Sequence, residues 1–292
     1  MVHPVRTRRT PTSRYSTTSS ETDDVRQLAR RAWSQRLGGD FKDARATYRD
    51  ALALAEREPA DDQALIEVLN GIGVLGKYAG WFDEADVAYQ RAMDIETNRA
   101  EPDVNTVATL LHNIGGLDHA RGRPADAVVV ARRGLELRRT ARGPDHVSVA
   151  ADEAALAAIL VDLDELDEAI ELAQHAIAVY RSAGDVDDHE VAAACATLAA
   201  ALHKKGDVDA ATESYNEALT MKQRAMGPSH PELAPTLNNL GLLHAQSGRF
   251  DEAEAAYTRA LSVLDDAGLS DHPQHERVVR NLRALDRRRS TS

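Results

Sequence analysis

Residues 246–261 read QSGRFDEAEAAYTRAL, and residues 78–93 read YAGWFDEADVAYQRAM. Both segments contain Gly, then Phe-Asp-Glu-Ala, then Ala-Tyr and Arg-Ala at the same spacing, although they start 168 residues apart. Similarity over this distance indicates that the chain repeats one structural unit. The position that Gly80 and Gly248 share is named the turn position.

The turn position recurs along the whole chain. Successive occurrences are separated by 41, 42, 42, 42 and 42 residues. The six occurrences are Gly39, Gly80, Gly122, Asp164, Gly206 and Gly248. A regular period of this size is typical of a solenoid, in which each unit buries its apolar face only against its neighbours.

Each unit has helical periodicity on both sides of its turn position. Before the turn, large residues are spaced as in Leu237, Leu240 and His244; after it, residues are spaced as in Ala253 and Tyr257. A small residue stands seven positions before every turn, and Ala stands five positions after it. The pattern predicts two antiparallel helices whose backbones cross closely at the small residues. The predicted fold class is all-α.

The order of small residue, Ala, Tyr and Ala resembles the tetratricopeptide repeat. The 42-residue length, GPDHVSVA at 143–150, GPSHPELA at 227–234 and LNNLG at 237–241 resemble the kinesin-light-chain variety of that repeat. The resemblance implies a right-handed α-solenoid of about six helix pairs over residues 21–286. The predicted pairs cover about 24–58, 62–99, 104–141, 146–183, 189–225 and 230–267, and a C-terminal capping helix covers 274–286.

Both ends of the chain are predicted to be disordered. Residues 1–20 form a basic tail rich in Ser and Thr with almost nothing to bury, and residues 287–292 form a second tail. We expect no secretory signal, because the tail lacks an apolar central region. An organelle transit peptide is an alternative, although Pro4 and Pro11 would break the amphipathic helix that such a peptide needs.

The charge distribution argues against nucleic acid as the main partner. The formal net charge is −12, and four arginines precede the first acidic residue: Arg6, Arg8, Arg9 and Arg14. Without them the remainder carries about −16, and an acidic surface repels phosphate backbones. No run of roughly 20 apolar residues predicts a membrane span. Cys195 is the only cysteine, so no disulfide forms within the chain and we expect a reducing compartment, the cytoplasm.

The first helices of the units are expected to line a concave groove that binds extended or helical segments. The resemblance implies that the Asn pair of LNNL faces this groove, where an amide can both donate to and accept from a peptide backbone. Lys and His side chains two turns further along could attract acidic segments. The predicted peptide-binding residues are Asn70, Lys77, His112, Asn113, His119, His203, Lys204, Asn238 and Asn239. The alternative is that the amides bond neighbouring helices or only solvate the face.

Other conspicuous residues have a structural interpretation. The dipeptides Asp145-His146, Asp188-His189, Ser229-His230 and Asp271-His272 recur before first helices, which predicts helix caps in which Asp or Ser accepts from free N–H groups. A zinc site at His272, His275 and Glu276 is the weaker alternative. Cys195 occupies an apolar register and is expected in the core.

Known catalytic and cofactor motifs are not visible in the sequence. The chain shows no nucleophilic triad, phosphate-binding loop, dinucleotide fingerprint or HExxH segment, so no enzyme, cofactor or metal is predicted. The sequence favours a non-enzymatic scaffold that binds a peptide or partner domain in its groove. The alternative is a regulatory protein that senses a small molecule or signalling peptide and changes conformation to control another protein.

Overall fold

The computed structural model describes residues 15–57, 61–184 and 186–290. Within these ranges the chain forms thirteen α-helices, one 3-10 helix at Pro231–Leu233 and no β-strand, which confirms the all-α solenoid class. The helices are α1 Tyr15–Leu37, α2 Phe41–Ala55, α3 Asp62–Ala79, α4 Phe82–Thr97, α5 Val104–Ala120, α6 Pro124–Arg142, α7 Val147–Asp162, α8 Leu166–Ala183, α9 Asp188–Lys205, α10 Val208–Met226, α11 Ala234–Gln246, α12 Phe250–Asp266 and α13 Pro273–Arg289.

The helices belong to two compact units. Unit 1 ends at Arg121 and contains α1 to α5, and unit 2 begins at Gly122 and contains α6 to α13. In unit 1 each helix packs on the next one along the chain, and α3 also contacts α1 and α5. The core of unit 1 includes the buried side chains of Tyr48, Leu69, Leu75 and Tyr89.

Unit 2 follows the same packing rule. Successive helices from α6 to α13 contact each other, and α7 also packs on α9 and α11 on α13. The most deeply buried side chains include Leu156, Leu160, Leu243, Tyr257 and Leu264. Within unit 2, each complete helix pair therefore covers the apolar face of the pair beside it, as the repeat period predicts.

The small residue seven positions before the turn makes room for an aromatic ring. A Cβ added at Gly73 would lie 2.3 Å from Cε1 of Tyr89, and one at Gly241 would lie 2.6 Å from Cε1 of Tyr257. At this position the nearest group is thus an aromatic ring. The close approach to backbone lies at Gly76, where an added Cβ would be 2.9 Å from the carbonyl oxygen of Trp81.

The turn position requires a left-handed backbone. Gly80 ends α3 with φ 76°, and Asp164, the one residue of the six that is not Gly, has φ 59°. Asp tolerates this conformation better than most side chains do. Asp164 also accepts a hydrogen bond from Nζ of Lys204 at 2.8 Å.

Histidine, and not the preceding Asp or Ser, caps α7, α13 and the 3-10 helix that precedes α11. Nδ1 of His146, His230 and His272 accepts from the backbone N–H two residues on, at 3.1, 3.3 and 3.2 Å. At α9 the cap is Asp187, whose Oδ1 accepts from the N–H of His189 at 3.0 Å. The capping role was expected, but the predicted cap residues were wrong. The helices capped by histidine begin one residue later than expected, and α9 begins one residue earlier. In the described part of the chain, no group of three or more His, Cys, Asp or Glu is placed to hold a metal ion.

The ends of the helical region extend beyond the predicted limits. Helix α1 begins at Tyr15, inside the segment 1–20, since residues 15–37 contain neither Pro nor Gly to stop it. Helix α13 continues to Arg289, which pairs with Asp251 at 2.5 Å and with Glu254 at 3.0 Å on α12. The rest of the predicted tails, residues 1–14 and 291–292, lies outside the described residues.

Two further expectations concern Cys195 and membrane spans. Cys195 is buried in α9, and burial raises the pKa of its thiol to about 12. A thiol in this state packs as a small apolar group, as expected from its register. Among the helices described, none combines the length and apolar character that crossing a bilayer requires.

Candidate peptide-binding face

The predicted binding residues lie on the first helices of the repeats. In unit 1 these are α1, α3 and α5, and their outward surface is named face 1; in unit 2 they are α7, α9 and α11 with α13, and their surface is named face 2. Face 1 carries Asn70, Lys77, His112, Asn113 and His119, and face 2 carries His203, Lys204, Asn238 and Asn239.

Two of the predicted amides on face 1 bond to each other. Nδ2 of Asn113 donates to Oδ1 of Asn70 at 2.7 Å, which links α5 to α3. This bond uses only the oxygen of Asn70, and Nδ2 of Asn70 makes no further hydrogen bond within the described residues. Asn70 therefore retains donors with which to bind a ligand.

The same link recurs on face 2 in a more closed form. Nδ2 of Asn281 donates to Oδ1 of Asn238 at 2.8 Å, which ties α13 to α11. Asn238 is only 4% exposed. Its neighbour Asn239 is partly exposed and donates to the hydroxyl oxygen of Tyr215 at 3.2 Å. On face 2 these amides thus connect helices, which was the alternative interpretation of the sequence.

The cations of face 2 also join helices. Nζ of Lys204 donates to the carbonyl oxygen of Val161 at 2.7 Å, at the end of α7, where the helix dipole favours positive charge. Nε2 of His203 lies 2.6 Å from Oε1 of Gln246 on α11. Helices α7 and α9 also carry small, partly exposed residues: Ala154, Ala155, Ala196 and Thr197.

Face 1 carries a cluster of rings and cations that is named the aromatic–cationic cluster: Trp33, Arg36, Lys77 and Tyr78. The guanidinium of Arg36 lies 4.1 Å from the ring centre of Trp33 and 5.0 Å from that of Tyr78. Nζ of Lys77 also lies 5.0 Å from the Tyr78 ring. Trp33 and Tyr78 are 44% and 60% exposed. The cations therefore hold two large rings at the surface.

Burial affects the ammonium group of this cluster. Partial burial, and then the charge of Arg36, lowers the pKa of Lys77 from its ordinary value. The ammonium end of Lys77 reaches α5, because a Cβ added at Gly116 would lie 3.4 Å from Nζ. A carboxylate bound at this point would relieve the repulsion between the two cations.

Trp33, Arg36 and Tyr78 were not among the binding residues predicted from the sequence. A register signal could have found Arg36, because Arg36, Lys77 and His119 each stand three residues before a turn position. His119 and His112 are partly exposed on α5, at the registers of Lys77 and Asn70. The three basic residues thus follow one another along α1, α3 and α5.

Two cavities open on face 1 on either side of α3. One, of about 390 Å³, is lined by residues of α1 and α3 that include Arg30, Trp33 and Asn70. The other, of about 230 Å³, is lined by residues of α3 and α5 that include Asn70 and Thr109. Asn70 borders both cavities, so its amide can be reached from each side.

Comparison with known families assigns the chain to a family. The tetratricopeptide repeat family matches residues 106–182 and 190–266, more than half of the chain, and the chain belongs to this family. The predicted recognition of the repeat, including its likeness to kinesin-light-chain repeats, is confirmed. A comparison with curated proteins found no similar sequence.

Several solved structures share the fold. The apo form of RapI is 12% identical with a TM-score of 0.69, and the match covers 91% of this chain and 72% of that one. BtubC (BKLC) from P. vanneervenii is 19% identical with a TM-score of 0.60, covering 87% and 93%. Repeats of a putative kinesin light chain from Podosopora anserina are 16% identical with a TM-score of 0.59, covering 72% and 99%. Identities this low show likeness of fold alone.

Proposed function

We propose that the chain is a non-enzymatic protein-interaction module of the cytoplasm that binds an acidic peptide segment of a partner along face 1. The observation that carries the proposal is the aromatic–cationic cluster, in which Trp33 and Tyr78 are exposed beside two cations. Exposed aromatic rings with Arg are typical of interface hot spots. The repeat fold supports a protein-interaction role in general.

Each part of the cluster has a distinct contribution to make. Arg36 and Lys77 would attract carboxylates and favour their approach. Trp33 and Tyr78 would supply apolar contact area at a low entropy cost. Asn70 would donate from Nδ2 to a peptide carbonyl, while Asn113 holds its oxygen.

Face 2 has a secondary place in this proposal. There His203, Lys204 and Asn239 would each have to exchange a bond to a neighbouring helix for one to the peptide. The buried Asn238 would act only by positioning its neighbours. We therefore assign the larger share of the binding free energy to face 1.

A peptide-display experiment tests the proposal. A random peptide library is selected on the full chain, and fluorescence anisotropy measures the affinity of selected peptides for the wild type and three charge-reversal variants. We expect acidic peptides whose affinity falls at least about tenfold in Lys77→Glu and only two- to threefold in Lys204→Glu. The matched control is Arg133→Glu, which reverses an exposed charge on α6 outside both faces and should leave affinity unchanged.

The salt dependence gives a second measure. Affinity for the wild type should decrease as ionic strength rises, because the contacts of Arg36 and Lys77 are screened. Selected peptides that bind Lys77→Glu as well as they bind the wild type, or that respond equally to Arg133→Glu, would show that the binding site lies elsewhere.

One observation favours the alternative, a regulatory sensor of a small molecule. Unit 1 contains a further cavity, between α2 and α4, with an apolar wall and a basic mouth. Neither this cavity nor its ligand depends on peptide binding at face 1.

A further inference from the structure

The cavity between α2 and α4 is small and mostly apolar. Its volume is about 200 Å³, and its floor is formed by α3. The apolar side chains of the wall are Leu52, Leu69, Ile72, Leu75 and Val87, with the rings of Tyr48 and Trp81 beside them. A cavity of roughly 150 Å³ is enough to hold benzene, so this one accepts an apolar body of about that size.

Arginine side chains surround the mouth of the cavity. Nη2 of Arg45 lies 2.6 Å from Oε2 of Glu84, and Nη1 of Arg91 lies 2.5 Å from Oε1 of Glu56. Arg49 is the third arginine of the lining; its side chain is 62% exposed and its Nη2 lies 3.7 Å from Oε1 of Glu84. Three guanidinium groups thus face two carboxylates, which leaves one positive charge at Arg49.

The corresponding place in the last two repeats is built differently. Arg49 lies ten residues after its turn position, where the fifth repeat has Asn216. Trp81 directly follows its turn position, where the sixth repeat has Arg249, and Nη2 of Arg249 donates to Oγ1 of Thr212 at 3.4 Å. The last two repeats therefore lack this combination of an apolar wall with three arginines that face two carboxylates.

We propose that this cavity binds a small monocarboxylate with an apolar body about the size of a benzene ring. The body lies against Leu69, Ile72 and Leu75, and the carboxylate accepts hydrogen bonds from the guanidinium of Arg49, whose planar donors match its two oxygens. The single excess charge selects one carboxylate over a doubly charged anion. This inference deepens the sensor alternative and does not rest on the peptide proposal.

Tryptophan fluorescence reads out the site directly. The chain has two tryptophans, so Trp33→Phe leaves Trp81, in the cavity wall, as the one reporter. In this background 3-phenylpropionate is titrated against 3-phenylpropan-1-ol, which has the same apolar body without the charge. We expect a saturable change with a Kd below about 1 mM for the acid and at least about tenfold weaker binding of the alcohol.

Two variants locate the binding determinants. Arg49→Gln should weaken binding of the acid about tenfold and leave the alcohol unchanged. Val87→Phe should obstruct the mouth and weaken both compounds. Its matched control is Val129→Phe, since Val129 stands at the same register of the next repeat, lies in unit 2 and is equally exposed, 68% against 69%. Circular dichroism verifies that each variant is folded.

The possible results separate this inference from the peptide proposal. Equal affinity for acid and alcohol, undiminished binding by Val87→Phe, or no fluorescence change with either compound would each overturn the carboxylate site. A change in Trp81 fluorescence only with a display-selected peptide would assign the cavity to a protein partner and overturn it as well. Because the titration uses no peptide, failure of the display experiment leaves it unaffected.

Discussion

Face 1 and face 2 carry similar residues at the same or adjacent registers but use them differently. On face 1, Lys77 lies beside exposed rings and Asn70 keeps its donors, whereas on face 2 Lys204 is bound to the end of α7 and Asn238 is buried. The register of a polar residue in a repeat therefore tells which surface it occupies. Whether it is available to a ligand depends on what the adjacent repeats offer it.

The interior of the units shows a related contrast in ion pairs. In unit 2, Nε of Arg138 donates to Oδ2 of Asp152 at 2.6 Å, and both side chains are less than a tenth exposed. In unit 1, the pair of Arg45 and Glu84 has a similar distance of 2.6 Å but is about one third exposed. Three predictions test whether the stability of unit 2 depends more on internal polar contacts than the stability of unit 1 does.

The largest effect is expected from Asp152→Asn. The substitution keeps the shape of the side chain but breaks the buried ion pair with Arg138, which should lower the free energy of unfolding by about 3–5 kcal/mol. The matched variant in unit 1, Glu84→Gln, removes a partly exposed ion pair and should cost less than about 1 kcal/mol. Urea unfolding followed by circular dichroism measures both, and equal losses would remove the contrast between the units.

Two buried tyrosines provide the next comparison. The hydroxyl of Tyr89 in unit 1 is buried and has no hydrogen-bond partner among the described residues, whereas that of Tyr215 in unit 2 accepts from Asn239. We expect Tyr89→Phe to leave stability unchanged or raise it, and Tyr215→Phe to lower it by about 0.5–1.5 kcal/mol. Thermal unfolding of the two variants beside the wild type decides the matter. If Tyr89→Phe loses as much stability as Tyr215→Phe does, the hydroxyl of Tyr89 must make a hydrogen bond, which would contradict the structure.

The smallest effect concerns the pH dependence of unit 2. Nδ1 of His175 on α8 lies 2.6 Å from Oε2 of the buried Glu153, and its Nε2 lies 3.4 Å from Asp145. The hydrogen bond to Glu153, followed by the charges of both carboxylates, raises the pKa of His175. Its protonated form is thus favoured in the folded state.

The sign of the effect follows from this shift. The stabilisation is complete below the pKa of the unfolded chain and is lost as pH rises through the higher pKa of the folded protein. Because His175 is partly exposed, we expect a contribution under about 1 kcal/mol. Urea unfolding between pH 5.5 and 8.5 should show a loss of stability in the wild type that is smaller in His175→Asn. Identical pH profiles of the two proteins would show that the shift has no consequence for stability.

Much of the fold was predictable because its determinants are local. Turn positions 42 residues apart, helical periodicity on either side and a small residue opposite each Tyr predict helix pairs without reference to distant contacts. Caps were less predictable, since Asp145 and His146 are both good candidates and a shift of one residue decides between them. The start of α1 at Tyr15 was missed because residues 1–20 were judged by their low apolar content, although residues 15–37 contain neither Pro nor Gly.

The candidate site was predictable as a surface but not as a set of contacts. The sequence by itself determined the repeat, the family and the faces on which Asn70, Lys77, Lys204 and Asn238 lie, because helical periodicity fixes the direction of each side chain. Only the tertiary structure decided that Asn238 is buried, that Lys204 caps α7 and that Arg36 stands between two exposed rings. Those outcomes depend on contacts with residues about 40 positions away in the adjacent repeat. Packing, and not register, decides which of these contacts form.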